Sequence, residues 1–260
     1  MSAQTHLGTD PLEGRKFYAL ISGGKDSLSL AHFLANRNAL QGCVFVDTQI
    51  AVPGLEDFIR TLPYSIEVYK TSEDYDRLVT EYWHSFPHYG LHQQAFNYLK
   101  GRGFEAFKRA HKGEDYLFAT GVRKGESPTR KRTAKFHSRL VGVETYAPLL
   151  NWTDEDVWSY IRRKDLRISP AYPKIHISGD CLCGAFARRY ERVEYEICYP
   201  EVNERFNRLE DKIHDRWGNV HAPTKADIEG SPLLCQGCTY RSPTIVCAVK
   251  SPPEKPSDGA

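Results

Sequence analysis

Ser22-Gly23-Gly24-Lys25-Asp26-Ser27 follows the apolar run Phe17-Tyr18-Ala19-Leu20-Ile21 and precedes the apolar positions Leu28, Leu30, Ala31, Phe33 and Leu34. A strand, a glycine turn and a helix in that order aim backbone N–H groups and the positive end of a helix dipole into the turn. The two glycines let the backbone close on an anion, and Ser22, Ser27 and Lys25 add donors and a charge. The chemistry indicated is phosphate binding, without the G-x-x-x-x-G-K-[ST] spacing of the Walker loop. A chance Gly-Gly turn rich in serine is the plain alternative. Four of the seven cysteines form a second constellation, Cys181-x-Cys183 and Cys235-x-x-Cys238. Two such pairs can bring four thiolates to one point, a tetrahedral set that suits zinc or an iron–sulfur cluster alike. Cys198 or Cys247 can replace one of the four, whereas Cys43, in the apolar run Cys43-Val44-Phe45-Val46, is expected in the core. A third feature is charge: Arg123, Lys124, Arg130, Lys131, Arg132, Lys135 and Arg139 stand against Glu126 alone. A solvated basic loop and a contact with a polyanion both account for it.

Alternating elements must position these groups. Period and composition predict strands over Phe17–Ile21, Cys43–Asp47, Ile66–Lys70 and Tyr116–Thr120. Helices are expected over Leu28–Asn36, Leu55–Thr61, Asp74–Trp83, Ala95–His111 and Asp154–Arg162, the last capped by Thr153 or Asp154. Alternating β and α imply an α/β fold, a mainly parallel sheet with helices on both faces, and such sheets bind ligands at the carboxyl ends of their strands. The glycine loop, Asp47-Thr48 and Gly121-Val122-Arg123 all follow predicted strands, so one cleft is expected to hold them. Beyond Ala185 the pattern turns helical, and Val202, Phe206, Leu209 and Ile213 recur at the spacing of a packed face. The expected organisation is a polar segment 1–15, a nucleotide domain 16–184, a helical cysteine-bearing extension 185–249 and a disordered tail 250–260.

Ser-Gly-Gly-Lys-Asp-Ser resembles the signature of the PP-loop ATP pyrophosphatases, the adenine-nucleotide α-hydrolases. Within them the chain is similar to the phosphoadenylyl-sulfate (PAPS) reductase family. Gly121-Val122-Arg123-Lys124-Gly125-Glu126-Ser127 with Arg130 resembles that family's Gly-x-Arg-x-x-Glu-Ser element. Pro148-Leu149-Leu150-Asn151-Trp152 running to Asp156-Val157-Trp158 matches another. Ser169-Pro170-x-Tyr172 and Ser178-Gly179-Asp180-Cys181-Leu182-Cys183-Gly184 continue the agreement in order along the chain. The resemblance implies that Ser22, Gly23, Gly24, Lys25 and Ser27 hold the β and γ phosphates of ATP. It implies that Asp26 joins a Mg²⁺ shell or anchors the loop, a helix cap being the plain alternative, and that Asp47 and Thr48 lie near ribose or adenine. Gly121, Arg123 and Arg130 belong to the phosphate side, with Glu126 orienting one arginine; Lys25, Asp26, Ser27, Arg123 and Arg130 form the expected catalytic set. It also leans toward a [4Fe–4S] cluster, rather than zinc, on Cys181, Cys183, Cys235 and Cys238.

Two departures matter. Leu182 separates cysteines that are adjacent in the family's reductases. The Glu-Cys-Gly-(Ile/Leu)-His segment that supplies their attacking thiol has no counterpart after Cys238, where Thr239-Tyr240-Arg241-Ser242 follows. The chain therefore looks most like the DndC/SspD-type ATPase subunits of DNA phosphorothioation systems. ATP cleavage to AMP and pyrophosphate would adenylate an oxygen that sulfur then replaces, in DNA first, with tRNA or a metabolite as alternatives and PAPS or adenylyl-sulfate reduction as another. The partners implied are a cysteine desulfurase, DNA and other subunits of a modification system. Seven cysteines without a secretory signal favour metal or redox chemistry in a cytoplasmic setting. No apolar run approaches the roughly 20 residues that span a bilayer. The net charge of +2 argues neither for nor against nucleic acid, and oligomeric state is not legible.

Overall fold

A computed structural model describes residue 12 and residues 14–187 and 191–217. Six strands, β1 (Phe17–Ile21), β2 (Leu40–Asp47), β3 (Ile66–Lys70), β4 (Leu117–Ala119), β5 (His137–Leu140) and β6 (Val143–Tyr146), form one sheet in the order β3-β2-β1-β4-β6-β5. All neighbours run parallel except the β5–β6 hairpin. Side chains alternate across a strand, and β1 and β2 divide accordingly. Phe17, Ala19, Ile21, Cys43 and Phe45 enter the larger core, whereas Tyr18, Val44 and Val46 enter a second core on the opposite face. Helices α1 (Lys25–Ala35) and α2 (Leu55–Arg60) pack into the first, and Phe104 and Phe107 of a later helix close the second. Both faces are covered, as the strand–helix alternation predicts.

Two predicted helices are interrupted. Asp74–Trp83 is a short helix α3 (Tyr75–Arg77) followed by a π-type turn over Leu78–Trp83. Ala95–His111 is α4 (His92–Phe96), a π-type turn over Asn97–Gly101 and α5 (Arg102–Ala110). Such widened turns bring in a side chain that regular winding would carry elsewhere, and they concentrate at functional sites. The second one carries Lys100.

The remaining helices are α6 (Pro128–Thr133), α7 (Asp154–Lys164), α8 (Tyr172–Ile175), α9 (Glu191–Cys198) and α10 (Pro200–Ile213). Thr153 caps α7: its hydroxyl accepts from Asp156 N (3.1 Å) while Asp156 Oδ2 accepts from Thr153 N (2.8 Å), a reciprocal capping box. Val202, Phe206 and Leu209 of α10 are buried in the main core, so the helical stripe is packing. Cys43 is fully buried there too, and burial pushes its thiol up to about 12. Cys235, Cys238 and Cys247 lie outside the described residues, as do the tail 250–260 and most of segment 1–15.

Candidate active site

β1 ends at Ile21, and the loop turns at Gly23, whose φ of +75° suits glycine. A Cβ there would also sit 2.7 Å from Leu55 Cδ1. The loop is braced from within: Ser27 Oγ donates to the Gly24 carbonyl (3.0 Å), and Ser22 N donates to Ser27 Oγ (3.2 Å). From outside, Ser169 N donates to the Gly23 carbonyl (3.1 Å), and Lys25 N donates to the Tyr172 hydroxyl (3.3 Å). Gly121, just past β4, presses against the start of α1, where a Cβ would meet the Asp26 carbonyl carbon at 2.9 Å. Only glycine lets the two strand ends approach this closely.

Charges gather around that contact. Lys25 Nζ lies 2.7 Å from Asp154 Oδ1 and 3.0 Å from Asp26 Oδ2. Arg123 Nε donates to Asp26 Oδ1 (2.5 Å), its Nη2 to Asp154 Oδ1 (3.0 Å) and its Nη1 to the Trp152 carbonyl (3.2 Å). Burial disfavours the Arg123 charge, but Asp26 and then Asp154 outweigh it and hold the guanidinium protonated. Burial likewise pushes Asp154 up, and the hydrogen bond and charge of Lys25, then Arg123, carry it below the ordinary carboxylate range. Glu126 accepts the Arg123 backbone N–H (2.7 Å) and lies 3.8 Å from Arg130. Burial raises its pKa, with the Arg123 N–H opposing.

The cleft above the loop has a volume of about 850 Å³, and Ser22, Gly24, Asp26, Ser27, Gly121, Glu126 and Arg130 border it. The structure thus brings together seven of the expected residues and sets others behind them. Arg123, expected to grip phosphate, is 1 % exposed and spends its guanidinium on two carboxylates and a carbonyl. A guanidinium so buried requires counter-charges, and its place is to fasten α7 to α1. Asp26 does not cap α1, whose N-cap is Gly24 without a side-chain bond; its carboxylate ties Arg123 and Lys25 while bordering the cleft. Thr48 is fully buried and donates to the Asp180 carbonyl (2.9 Å), and Asp47 accepts from Gln49 N (2.8 Å). Thr48 thereby fastens a neighbouring segment.

The segment is Ser178–Cys183. Val52 N donates to the Gly179 carbonyl (2.8 Å) and Leu182 N to the Ile50 carbonyl (3.1 Å). Trp217 Nε1 caps the Leu182 carbonyl and the Tyr75 hydroxyl caps the Cys183 carbonyl, both at 2.9 Å. Held in this way, Cys181 and Cys183 border a more apolar cavity of about 440 Å³, with Phe96, Leu99, Ile177 and Tyr195 among its walls. His92, Phe96 and Lys100 line this cavity and the cleft alike. Lys100 Nζ donates to Asp180 Oδ2 (2.5 Å), and Ser178 Oγ to Asp180 Oδ1 (2.7 Å). Burial pulls the Lys100 ammonium down, yet Asp180 and the neighbouring thiols raise it well above its usual value. The two thiols share a hydrogen bond that lowers Cys183 and raises Cys181.

Two soft donors in one walled cavity fit one side of a thiolate-held metal group. Among the described residues no cluster of three His, Cys, Asp or Glu side chains suits a metal ion. Cys198 stands apart, its thiol toward the Lys174 carbonyl at 3.9 Å. Sequence reasoning did not single out Lys100, Asp154, Tyr172 or Asp180 as site residues. The last three stand inside the motifs quoted above, whereas Lys100 has no spacing signal and depends on the π-type turn.

The family described as "Phosphoadenosine phosphosulfate reductase domain" matches residues 16–196. The chain belongs to that family. The phosphoadenosine 5'-phosphosulfate reductase of Xylella fastidiosa (strain 9a5c) is 27 % identical over 198 residues, covering 67 % of this chain and 79 % of that protein. Among solved structures, the PAPS reductase of Candida auris in its phosphate complex has a TM-score of 0.43 at 17 % identity, covering 62 % of this chain and 76 % of its own. The U34-tRNA thiolase NcsA of Methanococcus maripaludis, with its [4Fe-4S] cluster, has a TM-score of 0.42 at 15 % identity, covering 86 % and 73 %. In this member of the PAPS reductase family, the signature loop and the Gly121–Arg130 element form the floor and wall of one nucleotide-sized cleft. No helix among the described residues is long and apolar enough to cross a membrane.

Proposed function

We propose that the chain is an ATP pyrophosphatase that adenylates a phosphate oxygen of DNA for replacement by sulfur. The observation that carries the reading is the shared wall. A phosphate cradle and a half-buried thiol pair open into neighbouring cavities that have His92, Phe96 and Lys100 in common. Nucleotide activation and sulfur delivery need that adjacency.

A non-bridging oxygen of the acceptor phosphate attacks the α-phosphorus of ATP, the α–β bridge breaks, and pyrophosphate leaves into the Ser22–Ser27 loop. Hydrosulfide-level sulfur then bonds to the acceptor phosphorus, and AMP departs with the original oxygen. The sulfur derives from a desulfurase persulfide reduced by an external dithiol. Backbone N–H groups and Lys25 stabilise the charge that gathers on pyrophosphate, and Arg123 fixes Asp26 and Asp154 around Lys25. Asp26 is the cleft carboxylate that would face Mg²⁺ accompanying the triphosphate, an ion that neutralises phosphoryl oxygens when bound. Cys181 and Cys183 would hold one side of a [4Fe–4S] cluster, which supplies a redox-active, sulfur-rich centre when bound.

The similarity to a curated PAPS reductase favours a second reading, thiol-dependent release of sulfite from a sulfonucleotide. One experiment separates the two. Anaerobically purified protein is incubated with α-labelled ATP and Mg²⁺, adding duplex DNA and a persulfide donor in turn, with PAPS and reduced thiol in a parallel tube. AMP and pyrophosphate from ATP, with no sulfite from PAPS, are expected. Sulfite with ATP untouched makes the chain a reductase.

A further inference from the structure

The stretch that begins at Arg123 is the most one-sided in the chain, and only its first arginine is consumed by the site. Lys124, Arg130, Lys131, Arg132, Lys135 and Arg139 are exposed. Among the described residues Arg130 alone of these has an ion-pair partner, Glu126 at 3.8 Å. Glu144, opposite Arg139 in the hairpin, pairs with His137 instead. A chain of net charge +2 thus concentrates like charge on α6 and β5. Exposed surfaces ordinarily intersperse the two signs.

Placement and shape narrow the partner. Arg130 and Arg139 border the nucleotide cleft, so the basic rim runs into it without a break. The charge of Arg130 reaches across to His92, adding to the burial that lowers its pKa. Between Lys135 and Arg139 stands Phe136, 40 % exposed and stacked on Tyr146 (centroids 6.2 Å apart, planes 25° apart). An acidic protein surface would satisfy the cations and make no use of the face of that ring turned away from Tyr146. A single nucleic-acid strand offers both, phosphates for the lysines and arginines and a base for the ring.

We propose that α6 and the β5–β6 hairpin dock a single strand of DNA across the cleft mouth, with Lys131, Arg132 and Lys135 on phosphates and Phe136 under a base. The docking surface rests on these residues, whereas the choice of DNA over other strands rests on the sulfur-insertion reading.

Fluorescence anisotropy tests it, using the full chain and a short fluorescein-labelled oligodeoxynucleotide of mixed sequence. Removing one cation from a phosphate should make the salt slope of log K shallower by about 0.7. The triple variant Lys131→Ala, Arg132→Ala, Lys135→Ala should therefore show a slope shallower by about 2. Its affinity for a non-hydrolysable ATP analogue should stay unchanged. Phe136→Ala should weaken strand binding about tenfold, and Phe136→Tyr should restore it, with thermal melts confirming that both variants fold. An unchanged slope removes the rim. Tighter binding of the matching RNA strand overturns DNA as the partner, and equal competition by polyglutamate makes the surface a protein contact. Tighter duplex binding that ignores Phe136 overturns the single strand. ATP cleavage with rim-independent DNA binding sinks this proposal and leaves the function standing; rim-dependent binding without ATP cleavage does the reverse.

Discussion

The two ends of the sheet are both held by charge, but by charges of different kinds. At the carboxyl ends of β1 and β4, Lys25 and Arg123 share Asp26 and Asp154, and Lys100 meets Asp180 nearby. There Asp26 and Asp154 hold the Arg123 guanidinium protonated, and Lys25 with Arg123 holds Asp154 ionised. At the amino end, His111 sits between Glu67 (2.9 Å) and Glu114 (2.8 Å), stacked on Phe107 at 4.2 Å with Tyr18 and Tyr116 around it. Histidine is the side chain that titrates there. The carboxyl end also has glycine backbone and a wide cleft, whereas the amino end is closed by rings. Fixed charge around an open, glycine-lined space suits a polyanionic ligand. A titrating charge inside an aromatic cluster is a fastening, and the two ends should respond differently when broken.

Arg123 gives the largest effect. Arg123→Met leaves Asp26 and Asp154 facing Lys25 with half their positive charge gone, and buries no replacement hydrogen bond. Breaking a buried pair from one side costs about 3–5 kcal/mol, and with Asp26 and Asp154 left part-exposed beside Lys25 the loss lies at the low end, about 3 kcal/mol. For a chain of this size the melting temperature should fall by roughly 10 °C. A thermal melt within a degree or two of the parent would mean that Arg123 is not the clasp between α1 and α7.

Lys25→Ala comes next and separates function from fold. The side chain is 14 % exposed and Arg123 still serves both carboxylates, so the melting temperature should fall by less than half as much. AMP formation from ATP should drop about 10²- to 10³-fold, the usual consequence of removing one donor to a developing charge. Undiminished AMP release would take the loop out of the chemistry and dissolve the contrast between the two ends.

How much of this is legible in the sequence depends on how local each signal is. β1 and β3 have the predicted bounds because apolar alternation and flanking turns are properties of a few consecutive residues. The capping box on α7 is readable for the same reason. The β5–β6 hairpin is not among the predicted strands: its turn is Val141-Gly142, with φ of +46° and +83°, and valine is a poor advertisement for a left-handed position. Lys108 Nζ donating to the Val141 carbonyl (2.7 Å), a contact across 33 positions, helps hold it. The site divides in the same way. Ser22 to Ser27 can be read from its own sequence. Arg123 reads as a phosphate ligand because a lone arginine after a strand does not disclose that Asp26 and Asp154 will meet it. Lys100 depends on a widened turn that no periodicity announces.

The amino end supplies the smallest and most diagnostic change. Burial lowers the His111 pKa, but hydrogen bonds and charge from Glu67 and Glu114 outweigh it, and the folded value is raised. A raised value means that folding favours the imidazolium. Its stabilisation is therefore fully present below the unfolded pKa, about 6.5, and is lost as pH rises through the folded value. His111→Gln also loses stacking on Phe107, a loss that does not vary with pH, so the decisive quantity is the pH dependence of the difference between variant and parent. Denaturant unfolding should show the variant at its greatest disadvantage near pH 6, with the gap narrowing above pH 8 by about 1 kcal/mol or less, the scale of a partly exposed ion pair. AMP formation per folded molecule should not change, because none of His111, Glu67, Glu114, Phe107, Tyr18 and Tyr116 borders the cleft. A pH-independent gap would mean that His111 is neutral in the folded chain. A fall in turnover at constant stability would mean that the sheet transmits what happens at one end to the other.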